Sequence, residues 1–316
     1  MQYFQQQIAL GSFVQICLIS NDKSLNINQY FAGLWQRIFR YESRFSRFIP
    51  TSELSILNRN AGFKFTASKE LVAILSEAKR LSLVSDGIFN PFILPRLQAA
   101  GYDHSLVKGY ESDYQDNYSF RQQGSIEQLQ IGQNWVKIPS ETAIDLGGIG
   151  KGYLADILAG ELSAKTAGFW LSLGGDVSFG GLNENDHPWQ INIERSANEG
   201  TLAVYTSKTG KSAAIATSSI LVRRGKRYGR PWHHLIDPRT QAPAVTSILQ
   251  ASVAASSASV ADVFAKCAVI IGSADPAVTY LKKRHIKDAL LQLDPAANPK
   301  LNPVIIGQAI SLDNMD

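Results

Sequence analysis

The chain has 316 residues, of which 45% are hydrophobic and 18% charged, with a formal net charge of +4. That length holds one large core or two modest ones, and the composition is that of an ordinary soluble protein. Apart from one cluster the cations are scattered, so the small positive excess gives no ground for a nucleic-acid partner and fits an anionic small ligand equally well. The two cysteines, Cys17 and Cys267, sit inside apolar runs. They read as buried thiols and exclude both a disulfide framework and a Cys-based metal site. The first residues lack a basic segment followed by a long apolar run, and no window reaches membrane-spanning length without charge, so the expected location is the cytoplasm, with no transmembrane segment.

In chain order, a strand is expected over Phe13–Ile19 after a turn at Gly11. Residues 26–42 have helical spacing, with Phe31, Leu34, Trp35, Ile38 and Phe39 on one face. A turn at Pro50, a short helix near Leu54–Leu57 and a stop at Gly62 follow. Ser68 is placed to cap a helix whose stripe is Leu71, Ile74, Leu75, Ala78 and Leu81, ending near Asp86–Gly87. Residues 103–125 are polar and aromatic without period and read as a long excursion. A hairpin is expected around 132–134, and a helix from the glycine-rich loop to about Ala167. Strands follow over Phe169–Leu173, Trp189–Ile193, Leu202–Thr206, Ala213–Thr217 and 247–254. Helices over about 259–271 and 275–284 and two closing strands complete the chain. No linker of biased composition and no repeat is evident. Strands and helices mix without regular alternation, which predicts one α+β domain over 1–316, with room for two lobes and with mixed and antiparallel sheets packed against helices.

Four places carry chemistry. The loop Asp145-Leu-Gly-Gly-Ile-Gly-Lys-Gly152 puts four glycines in six positions at a helix start. Its free N–H groups and positive dipole end suit a phosphate, with Lys151 adding a point charge. The spacing is neither that of a P-loop nor that of a dinucleotide fingerprint, and a purely structural tight turn remains the alternative. Leu173-Gly-Gly-Asp-Val177 is a second glycine corner, for which a capped β-turn is the plain reading. His233 and His234 precede Leu-Ile-Asp237-Pro-Arg239-Thr. A general acid–base role suits one histidine of the pair, since neighbours on a strand face opposite ways, and Arg239 has a fork suited to phosphate or carboxylate. His104, His187 and His285 have no such company and read as surface residues, and the cluster Arg223-Arg-Gly-Lys-Arg-Tyr-Gly-Arg230 reads as a solvated hairpin loop. Asp262 and Lys266 are i and i+4 on a helix. They are either an intrahelical ion pair or a carboxylate that helps neutralise a phosphate through Mg²⁺, with Lys266 holding the phosphate directly.

With these pieces in view, roughly residues 9 to 290 resemble the ApbE-like flavin transferase family. Leu10-Gly-Ser12 resembles the opening Met-Gly-Thr, and residues 46–58 resemble Phe-x-Pro-x-Ser-x-Leu-x-x-Leu-Asn. Ser85–Pro91 resembles Gly-Ala-Phe-Asp-Pro, and 145–152 resembles Asp-Leu-Gly-Gly-Ile-Ala-Lys-Gly, with Asp156 at the family spacing. Leu173–Asp176, Ala216-Thr217-Ser218, His234–Thr240 and Ala261-Asp262 match further elements. The departures are Asn90 for Asp, Ser219 for Gly, Gln241 for Gly and Lys266 for Thr, and they are expected on the ligand side. The resemblance implies transfer of FMN from FAD to a Ser or Thr hydroxyl of an acceptor flavoprotein, by a phosphoester bond, with release of AMP. It implies His234 as the base beside Asp237 and Arg239. A nucleotide site of Gly147, Gly148, Gly150, Lys151, Asp176, Thr217, Ser218 and Lys266 is expected. Mg²⁺ would be held by Asp262, the residue at 266 and the Gly150 carbonyl. Because a lysine stands where the threonine ligand belongs, three outcomes stay open: the lysine replaces the metal electrostatically while transfer continues, the protein binds flavin without transferring it, or both are lost.

Overall fold

A computed structural model describes residues 1–22, 26–103, 123–195, 200–208, 210–296 and 302–313. Most of the polar excursion, with His104, lies outside the described residues. The chain divides into two compact units. The first comprises Met1–Ile38, Lys151–Val222 and Thr246–Asp316, and the second Phe39–Gly150 and Arg223–Val245.

The first unit is built on an eight-stranded sheet. Its order is Gln2–Ala9, Ser12–Ile19, Gly168–Leu173, Asp176–Gly181, Ala213–Ser219, Ile248–Ala255, Asp288–Leu293 and Val304–Ile306. Every pairing in it is antiparallel, so the α+β expectation holds and the parallel component implied by a mixed sheet is corrected. The physical reason lies in the connections. Two are tight hairpins. Between Ile248–Ala255 and Asp288–Leu293 run two helices, Ala258–Ile271 and Ala274–Lys283, which reverse the chain once more than a single crossover helix would. A three-stranded sheet of Gln190–Glu194, Thr201–Thr206 and Ile310–Leu312 belongs to the same unit. An apolar cluster including Cys17, Phe179, Trp189, Tyr205, Ile215 and Leu290 joins strands of the two sheets. Burial pushes the Cys17 thiol up to about 11, as expected of an inert core cysteine. The helix Ala258–Ile271 packs on the strands Ala213–Ser219 and Ile248–Ala255.

The strand Gln2–Ala9 was not foreseen. It is rich in glutamine and mostly exposed, and it pairs in register with Ser12–Ile19 through a two-residue turn in which Leu10 and Gly11 both have positive φ. That is the geometry that matches strand twist.

In the second unit the expected helix is observed over Lys69–Val84, with Ser68 accepting from the Leu71 N–H and the stripe Leu71, Ile74, Leu75, Ala78 and Leu81 buried. Left-handed Asp86 and Gly87 end it. The short helix is Glu53–Arg59, capped by Ser52. The predicted hairpin pairs Gln130–Ile131 with Trp135–Lys137 and gains Phe65–Thr66 as a third strand. Among the described residues no helix is long and apolar enough to cross a membrane.

Candidate functional site

In the second unit the motif residues of 46–58 build the floor of the glycine loop. Asn58 is buried; its amide donates to the Ile144 carbonyl at 2.9 Å and its carbonyl accepts from the Ile144 N–H at 2.8 Å. This two-bond clamp fixes the backbone leading to Asp145. Arg47 is also buried, donates to the Tyr102 carbonyl, lies 3.3 Å from Asp145 Oδ1, and stacks over the rings of Phe48 and Tyr102. The sequence reading assigned no role to Arg47, because a lone arginine carries no local signal. At Gly147 a Cβ would stand 2.9 Å from Asp145 Oδ2, so a side chain there would have to push that carboxylate aside. The helix Gly150–Lys165 begins directly after, and the Gly150 carbonyl accepts from the Tyr41 hydroxyl at 2.8 Å.

The same unit holds the histidine segment. The hairpin Arg224–Arg227 with Arg230–His233 turns at Tyr228 and Gly229, both at positive φ, which confirms the basic cluster as a hairpin. His233 is held by its Nε2 to the Ala244 carbonyl at 3.0 Å, and burial pushes its pKa down. It is a structural residue. His234 lies just past the strand. Its N–H donates to the Arg223 carbonyl, its Nδ1 lies 3.3 Å from that same carbonyl, and its ring meets Tyr102 edge-on. Asp237 is buried and accepts from the Arg239 backbone N–H, Nε and Nη2. Burial raises its pKa, but these bonds outweigh that and hold it below the usual carboxylate range.

In the first unit four charged groups meet. Asp176 is 2% and Asp262 1% exposed. Lys151 Nζ lies 3.7 Å from Asp176 Oδ2, and Lys266 Nζ is ion-paired with Asp262 Oδ1. Burial first, then the Asp262 charge, push the Asp176 carboxyl up to about 6, against the pull of Lys151, Lys266 and the Thr217 N–H. Thr217 Oγ1 pairs with Ser252 Oγ at 2.8 Å, and Ser218 is buried beside it on the strand. Gly174 and Gly175, both at positive φ, form the two-residue turn that delivers Asp176, and a Cβ at Gly174 would sit 3.5 Å from Lys151 Nζ. Thus Lys151, Asp176, Thr217, Asp262 and Lys266 are brought together in this unit. Gly147, Gly148 and Gly150, with His234, Asp237 and Arg239, belong to the other.

Asp156 has an equally clear place. Its Oδ1 accepts from the Ala258 N–H at 2.6 Å, and its Oδ2 accepts from the Ser259 N–H, Ser257 Oγ and Ser259 Oγ. It therefore holds the start of the helix that carries Asp262 and Lys266, a carboxylate at a helix N-terminus. Gly152 allows the approach: a Cβ there would lie 2.7 Å from the Ala258 carbonyl oxygen.

Residues 10–291 match the ApbE family. The chain belongs to that family. It is 26% identical to the FAD:protein FMN transferase of Vibrio cholerae over 72% of this chain and 69% of that one. The corresponding protein of Chlamydia pneumoniae is 28% identical over 81% of this chain and 82% of its own. Among solved structures, the ApbE protein of Thermotoga maritima superposes with a TM-score of 0.80 at 20% identity, covering 99% of this chain and 97% of that one. The flavin transferase ApbE from Vibrio cholerae gives 0.79 at 22%, covering 98% of each. These structures fix the fold.

Three departures from the family pattern have local explanations. Asn90 caps the Phe92 N–H and uses its amide to donate to the Gly124 carbonyl, a bond an aspartate could not make. Ser219 Oγ accepts from the Leu221 N–H in a tight turn. Gln241 has φ +58 and donates its N–H to the Asp237 carbonyl at 2.7 Å, so it keeps the conformation that glycine adopts without strain. Lys266 is different in kind. The implied Mg²⁺ needs Asp262 as an oxygen ligand, and an ammonium stands on that carboxylate. The donor set does not fit the ion.

Proposed function

We propose that this protein transfers FMN from FAD to a Ser or Thr hydroxyl of an acceptor protein through a phosphoester bond, releasing AMP. The family match across residues 10–291, with relatives named FAD:protein FMN transferase, carries this reading. In the reaction the hydroxyl oxygen attacks the FMN phosphorus. The bond to the bridging oxygen breaks, AMP leaves with the electron pair, and the hydroxyl proton passes to His234. Donation of Nδ1–H to the Arg223 carbonyl would leave the lone pair on Nε2, the tautomer a general base needs. Such a reaction asks for charge neutralisation and positioning more than for covalent help. We assign the Gly147, Gly148 and Gly150 amides and Lys151 to the diphosphate, and Arg239, oriented by Asp237, to a phosphate oxygen. In the first unit we assign Asp176, Thr217, Ser218 and Lys266 to nucleotide binding. The second reading, a flavin-binding member without transfer, is favoured by one observation, the lysine on Asp262.

Calorimetric titration with FAD tests binding, and no heat up to ~1 mM, an affinity near −4 kcal/mol, refutes both readings. Transfer is followed as flavin fluorescence that stays with an acceptor polypeptide through denaturing electrophoresis. His234→Ala is expected to leave FAD affinity intact and cut the rate ~100-fold, the scale of one positioned acid–base group. His233→Ala, which loses the bond to the Ala244 carbonyl and the packing of a half-buried ring, is expected to lower stability and spare the rate. Equal rates in native protein and His234→Ala remove the histidine from the mechanism.

A further inference from the structure

We propose that the Lys266 ammonium is a built-in cation in the place of a divalent metal ion, and that this protein binds its anionic ligand without one. The ligand half of this proposal rests on the flavin-nucleotide reading; the metal half does not.

The two carboxylates, Asp176 and Asp262, are almost fully buried and feel each other's charge. Buried carboxylates persist only when opposite charge is supplied within the same low-dielectric space. Two ammoniums supply it, Lys151 at Asp176 and Lys266 at Asp262, so the four formal charges sum to zero with no ion present. Lys266 is fixed rather than waving in solvent. Its side chain is 13% exposed, and it stands one turn from Asp262 on a helix whose start is anchored by Asp156. Among the described residues its partners are both on Asp262, the carboxylate Oδ1 and the backbone carbonyl at 3.4 Å. A third N–H can meet an oxygen of a phosphate.

A divalent ion on Asp262 would sit about 2.0–2.6 Å from a carboxylate oxygen. That places it within a few ångströms of Nζ, where like charges repel and the carboxylate's charge is already used. Asp262 Oδ2 is buried with no hydrogen-bond partner among the described residues, so this carboxylate has one oxygen committed to the lysine and one open lone-pair direction. With the lysine shortened to an oxygen donor, both oxygens become available to a cation. Swapping a compact ammonium for a hydroxyl therefore converts a closed ion pair into a metal-competent carboxylate.

The test uses the purified full chain and Mn²⁺ as the probe, followed by its electron paramagnetic resonance signal, with Mg²⁺ in thermal melts. Native protein is expected to show no saturable Mn²⁺ binding up to ~1 mM and no Mg²⁺-dependent shift of Tm. Lys266→Thr is expected to bind Mn²⁺ at least 30-fold more tightly and to gain several degrees of Tm with Mg²⁺. Should Lys266→Thr not fold, Lys266→Met keeps the apolar stem while removing the charge, and the same gain is expected. FAD affinity of native protein is expected to be unchanged by EDTA and to fall at least 10-fold in Lys266→Met without Mg²⁺. Saturable Mn²⁺ binding by native protein that Lys266→Thr leaves unaltered overturns the proposal, as does failure of every folded variant to gain a metal ion. Absence of FAD binding in all proteins, with the Mn²⁺ results as expected, instead refutes the flavin reading and leaves the cation replacement standing.

Discussion

Removing the Asp156 carboxylate should unlatch the start of the Ala258–Ile271 helix. Four donors converge on it: the backbone N–H groups of Ala258 and Ser259 and the hydroxyls of Ser257 and Ser259. In Asp156→Ala both backbone donors lose their partner at a half-buried helix end. Each such loss costs about 0.5–2 kcal/mol, and the favourable placement of a negative charge at the helix N-terminus adds roughly 0.3–1 kcal/mol. The Ser257 hydroxyl still accepts from the Val260 N–H, so the cap is weakened rather than abolished. The expected total is about 3 kcal/mol. For a cooperative unit of this size that corresponds to roughly 6–12 °C in Tm. Asp156→Asn keeps one acceptor oxygen. Whichever way its amide turns, an NH₂ faces at least one donor, and a loss of about 2 kcal/mol is expected. Urea unfolding followed by circular dichroism measures both. The helix also carries Asp262 and Lys266, so FAD affinity should fall alongside stability. If Asp156→Ala lies within about 0.5 kcal/mol of native protein, the carboxylate is not the latch and Ser257 alone suffices.

Gln241→Gly should stabilise by about 0.5–1 kcal/mol. It relieves a side chain held at φ +58, a strain of roughly 1–2 kcal/mol, and the greater freedom of glycine in the unfolded chain offsets part of that gain; a lower urea midpoint contradicts it. The Asp237 carboxyl is held below its ordinary pKa, so its contribution is present above the unfolded value near 3.9 and is lost as pH falls through the folded value. Arg239 is 57% exposed, which limits the contribution to below about 1 kcal/mol. Arg239→Gln should accordingly lose less stability than native protein between about pH 5 and pH 2, and identical acid limbs in the two proteins rule this out.

The sequence by itself determined the local elements whose causes are local. Ser68, a clean apolar stripe and Asp86–Gly87 fix the helix Lys69–Val84, because capping, periodicity and left-handed turn residues act within a few positions. Paired glycines marked the Gly174–Gly175 turn, and an i, i+4 spacing put Asp262 and Lys266 on one face of a helix. The ordered motifs carried the family. What the sequence left open depends on partners far along the chain. Gln2–Ala9 has no apolar alternation to announce a strand, since a mostly exposed edge strand is held largely by backbone pairing that its side chains do not encode. Asn58 and Ile144 are 86 residues apart, and Asp156 and Ala258 are 102 apart. Of the departures, Ser219 and Gln241 bond within four residues, whereas the Asn90 amide reaches the Gly124 carbonyl 34 residues along the chain, a partner that local spacing does not reveal. Spacing could bring Lys266 within reach of Asp262, but not decide whether its ammonium points to solvent or onto the carboxylate. Only tertiary packing decides that: burial of the helix Ala258–Ile271 against the sheet removes the water that would otherwise compete for both charges.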